Sequence, residues 1–329
     1  MKRLRLPSII ILSWLLLIGT AGAQIAVPPQ SALLNDALFL VKAAPFIIAL
    51  AIGVGIAQAR AAANGGGDAL LGDKVRRHDL STVIAHWANA IGVILGLASG
   101  AIVLRWVEYR PELRWVFAIH NFGAALMLFG IFNHLARHGV SGGFGLIPKT
   151  FRVLRDVIGE LFEYIGVFGP KGAVFRIPWP KAIRRPVARY VRAMLGYKED
   201  QAGKYLATEQ ILSYLPWTIL MIVIVMTGFI KLAKYLYAIP GSVLLTATAL
   251  HDLATLAIGV MLIIHLLPLL LIPANWPLLG SMFKTTVPRK YVEERHPLWF
   301  KKLKSRPNRP EPVRPTGPEY GAIQPADAD

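Results

Sequence analysis

With no cysteine in 329 residues, any redox metal on this chain is held by His, Met or carboxylate, and two of the eight histidines have a spacing that suits one. His251 and His265 lie fourteen residues apart in LHDLATLAIGVMLIIHLLPLLLI, residues 250–272, an apolar helix-forming stretch. At about 100° per residue, fourteen steps end roughly 40° short of four full turns, so both imidazoles leave one helix face. A rise of about 1.5 Å per residue puts their α-carbons roughly 21 Å apart, one near each edge of a hydrocarbon layer about 30 Å thick. Two imidazoles in line across a membrane suit the axial ligation of two stacked haems. The missing thiols exclude disulfides, iron–sulfur clusters and covalent haem attachment on this chain.

The elements that would position these rings are membrane spans. Hydrophobic residues make up 54% of the chain and cluster in runs of about twenty, which marks a membrane protein rather than two soluble domains. Residues 1–23 have a basic start, an apolar run from Ile9 to Ile18 and a small-residue AGA before Gln24, and read as a secretory signal cleaved after Ala23. An N-terminal extension, 24–75, holds a first span at 37–59 that carries Lys42 and Pro45 but no histidine; it reads as peripheral to the electron-transfer bundle, or as an interfacial helix. The stretch ARAAANGGGD after it reads as a flexible link. Four stronger spans near 82–104, 115–136, 210–232 and 246–272 form a four-helix bundle. The fold class is thus an all-α membrane protein with one extra N-terminal helix, its di-haem domain running from 76 to 304. A basic insertion at about 137–209 includes the amphipathic TFRVLRDVIGELFEYIGVFG and is expected on the membrane surface. The proline-rich tail, 305–329, reads as disordered.

The net charge of +17 would suggest nucleic acid in a soluble protein, but here the cations fall between and after apolar spans, where membrane lipids account for them. Segments 60–81, 137–209 and 273–329 hold 4, 13 and 10 Lys and Arg, against five in the two short loops. By the positive-inside rule the first set and the C-terminus are cytoplasmic. That topology gives each histidine a depth. His86 and His265 are inner, and His120 and His251 are outer, which makes two bis-histidine sites for two b haems. One alternative stays open, because His134 also follows His120 by fourteen residues and would replace His86 in a two-helix, four-histidine arrangement. His78 and His296 read as interfacial or soluble. Gly92, Gly96 and Gly100, with Gly123, make a smooth face for either a flat macrocycle or close helix packing.

Several motifs carry a family resemblance: AHW at Ala85–Trp87, IHNFG at Ile119–Gly123, GKY at Gly203–Tyr205, the pair His251 and His265, and GSMFKTTVPRKYVEERHPLW from Gly280. Together, over about Arg76–Trp299, they resemble the cytochrome b or gamma subunit of membrane-bound respiratory formate dehydrogenase. The cytochrome b subunits of nickel–iron hydrogenases and thiosulfate reductases share much of this pattern. The resemblance implies an outer haem on His120 and His251 and an inner haem on His86 and His265. It also implies electrons arriving from an iron–sulfur subunit, a molybdenum- or tungsten-containing catalytic subunit beyond it, and reduction of menaquinone or ubiquinone near the inner haem. The quinone residues it implies are Lys204, Tyr205, Glu209 and His265. Here the chain departs: the family's KYNAGQ is KYLATE at Lys204–Glu209.

No nucleotide loop or catalytic triad is present, so substrate chemistry is expected on other chains. Two other classes fit the sequence less well: a stand-alone transmembrane haem reductase, which the short outer loops disfavour, and a transporter, for which neither internal repeats nor broken helices are clear.

Overall fold

The computed structural model describes residues 32–63, 67–107, 113–141, 146–148, 150–169, 173–175, 177–198 and 201–305. The expected signal segment 1–23 and almost all of the tail lie outside the described residues.

Among the described residues, five helices are long and apolar enough to cross a membrane. They are α1 (Ala32–Ala61), α2 (Leu80–Val103), α3 (Leu113–Val140), α6 (Leu215–Ala233, with a widened turn at Glu209–Tyr214 leading into it) and α7 (Gly241–Leu271). Between α3 and α6 lie α4 (Arg152–Tyr164) and α5 (Lys181–Leu195). This is the all-α membrane architecture expected from the apolar runs, with boundaries shifted by a few residues.

The first span is a membrane-length helix rather than an interfacial one, and it packs along α3. It is one continuous helix through Pro45, and Leu40, Ala44, Ile48, Ala51, Gly55 and Ala59, spaced three or four apart, form its buried stripe. Small residues let it lie flush on α3: a Cβ on Gly55 would stand 2.5 Å from the carbonyl oxygen of Asn133. α1, α2 and α3 thus form one slab, and α6 and α7 an antiparallel pair, with only sparse contact between these two halves. The gap between the halves is where the histidines of α2 and α3 face those of α7.

A small cap, not foreseen from the sequence, closes the end of the bundle where the long basic segments gather. Three antiparallel strands, β1 (Ala69–Leu71), β2 (Lys74–Arg76) and β3 (Thr286–Pro288), pair with Val75 opposite Val287. After α7 come α8 (Trp276–Lys284) and, beyond β3, α9 (Arg289–Arg295) and α10 (Pro297–Lys304). Val75, Val287, Val292, Trp299, Phe300 and Leu303 are the core of this cap. The stretch read as a flexible link supplies one of its ties. Asp68 accepts from Lys204 Nζ at 2.6 Å and from Trp299 Nε1 at 3.1 Å. His296, read as interfacial or soluble, is fully buried: its ring Nδ1 lies 2.7 Å from the carbonyl oxygen of Gly203, and Arg77 Nη1 lies 3.4 Å from Nε2.

Candidate haem site

Two pairs of imidazoles face each other across the gap. The ring centres of His120 and His251 are 6.3 Å apart, and those of His86 and His265 are 6.5 Å apart. A metal bound by two imidazoles sits about 2 Å from each nitrogen, and each nitrogen lies roughly 1 Å from its ring centre, so ligation sets the centres about 6 Å apart. Both separations match that distance. The four histidines come from α2, α3 and α7, in the pairing that their depths gave.

The tautomers of the short-loop pair are fixed by hydroxyls. Ser99 Oγ lies 2.9 Å from His120 Nδ1, and Thr227 Oγ1 lies 2.9 Å from His251 Nδ1. Each hydroxyl already donates its hydrogen to its own helix backbone, Ser99 to Leu95 O at 2.6 Å and Thr227 to Val223 O at 2.7 Å. Each therefore accepts from an Nδ1–H, which leaves both Nε2 lone pairs free for iron. Sequence reasoning missed Ser99 and Thr227; the signal available was a hydroxyl deep within each apolar span, away from its first turns, which needs an internal partner. The other pair lacks such hydroxyls among the described residues. His86 instead meets Trp87 edge-on at 5.8 Å, and Trp87 Nε1 donates to Met282 O at 2.8 Å, tying this pair to α8.

A cavity of about 390 Å³ surrounds His120 and His251. Apolar side chains line most of it, with Gly96, Gly100 and Gly228 giving flat wall and Lys231, Lys234 and Asp252 among its polar lining residues. At mid-depth Val93, Met127, Met221 and Ile258 pack together and close it towards the second pair. The glycines divide into two roles. Gly92 and Gly123 press backbone to backbone, since a Cβ on Gly92 would stand 2.7 Å from Gly123 O, whereas Gly96 and Gly100 line the cavity.

His134 stands elsewhere. Its ring centre is 4.3 Å from that of His138, too close for an iron between them, and its Nε2 is 2.8 Å from the Tyr214 hydroxyl. Of the expected quinone residues, His265 faces His86 across the gap, and Lys204, Tyr205 and Glu209 sit with the cap. Lys204 pairs with Asp68, Arg77 Nη2 lies 3.7 Å from Glu209 Oε2, and Glu209 also accepts from the Leu206 N–H at 3.1 Å. Lys204 and Arg77 lie 5.5 Å and 5.7 Å from the Tyr205 ring centre, and Leu206 is buried. Beside them, burial pushes the Glu160 carboxyl up to about 7, although it accepts from the N–H groups of Ala207 and Thr208 at 2.8 Å each.

Five apolar spans around facing histidines define a multi-pass membrane cytochrome of the b type. A family model described as prokaryotic cytochrome b561 matches residues 77–284, over half of the chain, and the protein belongs to that family. Haem b binding and electron transfer follow from that membership. A search of the curated proteins finds no match.

Proposed function

We propose that this chain is the di-haem membrane anchor and electron-transfer subunit of a respiratory oxidoreductase complex of the formate dehydrogenase kind. It would join an iron–sulfur subunit on the outer face to the quinone pool near the cytoplasmic face. The observation that carries this reading is the pair of facing imidazole sets, 6.3 Å and 6.5 Å between ring centres. His120 and His251 would hold the outer haem b, and His86 and His265 the inner one. Haem b at these positions supplies a one-electron Fe(III)/Fe(II) couple. The chain's residues then do three things: Ser99 and Thr227 orient the outer ligands, the mid-depth cluster excludes water between the sites, and Lys231 and Lys234 offer cations to carboxylate groups of a bound porphyrin. Menaquinone or ubiquinone would meet the inner site by way of His265 and Tyr205. Lys204 and Glu209 would act there by holding the cap in shape, given their pairs with Asp68 and Arg77.

Co-purification of the native complex with metal analysis tests the assignment. An iron–sulfur subunit with molybdenum or tungsten is the expected result, together with a shift of only the inner haem potential when a quinone analogue is added. Nickel would move the assignment to a hydrogenase-type complex. A chain that isolates alone and reduces an external acceptor would overturn it in favour of a stand-alone reductase.

A further inference from the structure

We infer that α4 and α5 form a platform that seats two apolar stripes in the anionic lipid leaflet at the basic end of the bundle. Phe151, at the start of α4, and Leu154, Ile158 and Leu161 are all exposed, and at 100° per residue they fall within roughly 80° of one another. On α5, Ile183, Tyr190 and Met194 are exposed and fall within about 40°. Both stripes lie outside the protein's own cores. Each helix turns a different face inward: Glu160 on α4 accepts from the N–H groups of Ala207 and Thr208, and Val157, Ala188 and Val191 are buried.

Depth and charge identify the occupant. Ala207 and Thr208 immediately precede the span that begins at Glu209, so Glu160 stands where the chain enters the membrane. Ile158 and Leu161 are on the same turn of α4 as Glu160, within about the 10 Å width of a helix, and therefore at interfacial depth. α5 carries Lys181, Arg184, Arg185, Arg189 and Arg192 and no acidic residue. An apolar stripe edged by cations at this depth is the pattern that binds anionic headgroups. The two helices are braced as a unit: the Phe168 and Tyr197 rings stack at 5.4 Å, and the Tyr197 hydroxyl donates to Glu163 at 2.5 Å.

The absence of cysteine makes the test direct. Spin labels are placed singly through Leu154→Cys, Met194→Cys and, as an exposed control, Lys198→Cys, in the full haem-loaded chain reconstituted in bilayer discs. In discs containing anionic lipid, labels at 154 and 194 should collide with oxygen in strong preference to a water-soluble nickel chelate, at a depth of about 5–10 Å. The label at 198 should stay open to the chelate. The double substitution Arg185→Glu, Arg189→Glu should raise the label at 194 severalfold in chelate accessibility in anionic discs and little in zwitterionic ones, with the haem α band unchanged. Labels at 154 and 194 as open to the chelate as the control in every bilayer would overturn the inference. So would shielding that develops only when a co-purified protein subunit is added, because the stripes would then be a protein interface.

Discussion

The imidazole pairs make distinct demands on single residues. An axial ligand removed from a b haem leaves the iron five-coordinate, whereas a histidine held by a neighbouring hydroxyl and ring can be lost cheaply. His86→Ala is therefore expected to lose or loosen the haem between His86 and His265, and His134→Ala to keep both, as read from the reduced α band of the purified protein. The reverse outcome would favour the two-helix arrangement. Ser99 and Thr227 act one bond further out. By accepting from Nδ1–H each makes its imidazole a stronger donor to ferric iron, and partners of this kind alter metal affinity by about 10–100-fold. If Ser99→Ala loses a tenfold preference for the ferric state, the outer potential rises by about 59 mV, since one electron is transferred. A redox titration that moves the inner haem, or neither haem, would show that these hydroxyls do not tune the site.

At the scale of elements, the two glycine roles predict opposite responses. Gly92→Ala forces α2 away from Gly123 and should destabilise the bundle by about 1–3 kcal/mol, while Gly100→Ala, with its nearest neighbour 3.7 Å from the added carbon, should leave the fold and narrow the haem cavity. Thermal unfolding in detergent alongside haem content separates the two. The cap has its own pH dependence. Burial, and then the nearby Arg77 charge, hold His296 down to about 3, from its ordinary 6.5. Its neutral form is thus favoured by folding, and its contribution is present above about pH 6.5 and lost as pH falls towards 3, by roughly 1 kcal/mol per pH unit inside that window. Protection factors of the β2–β3 amides, taken after correction for the intrinsic pH dependence of exchange, should fall on acidification in the wild type, and His296→Gln should flatten that response. An unchanged acid response in the variant would assign it to other groups.

For the whole molecule, the spans were legible because apolar runs and helical periodicity are local properties. The His251–His265 line was legible for the same reason, and the pairing of the four histidines followed from the order of the spans. What was not legible depends on contacts between distant segments: Asp68 meeting Trp299, Arg77 meeting His296, and strands of three residues too short to show a period. The two hydroxyls beside His120 and His251 were not legible because each serves a histidine on a neighbouring helix. Gly92, Gly96 and Gly100 share one helix stripe in sequence, yet only the position of α3 divides them into packing and cavity roles.

The central claim is that the gap between the two halves of the bundle holds two b haems, each between a pair of facing histidines. A pyridine haemochrome assay on purified, quantified protein measures this directly. The expected result is two non-covalent b haems per chain, reduced to one by His86→Ala and separately by His251→Ala. One haem or none in the fully loaded wild type would contradict the account.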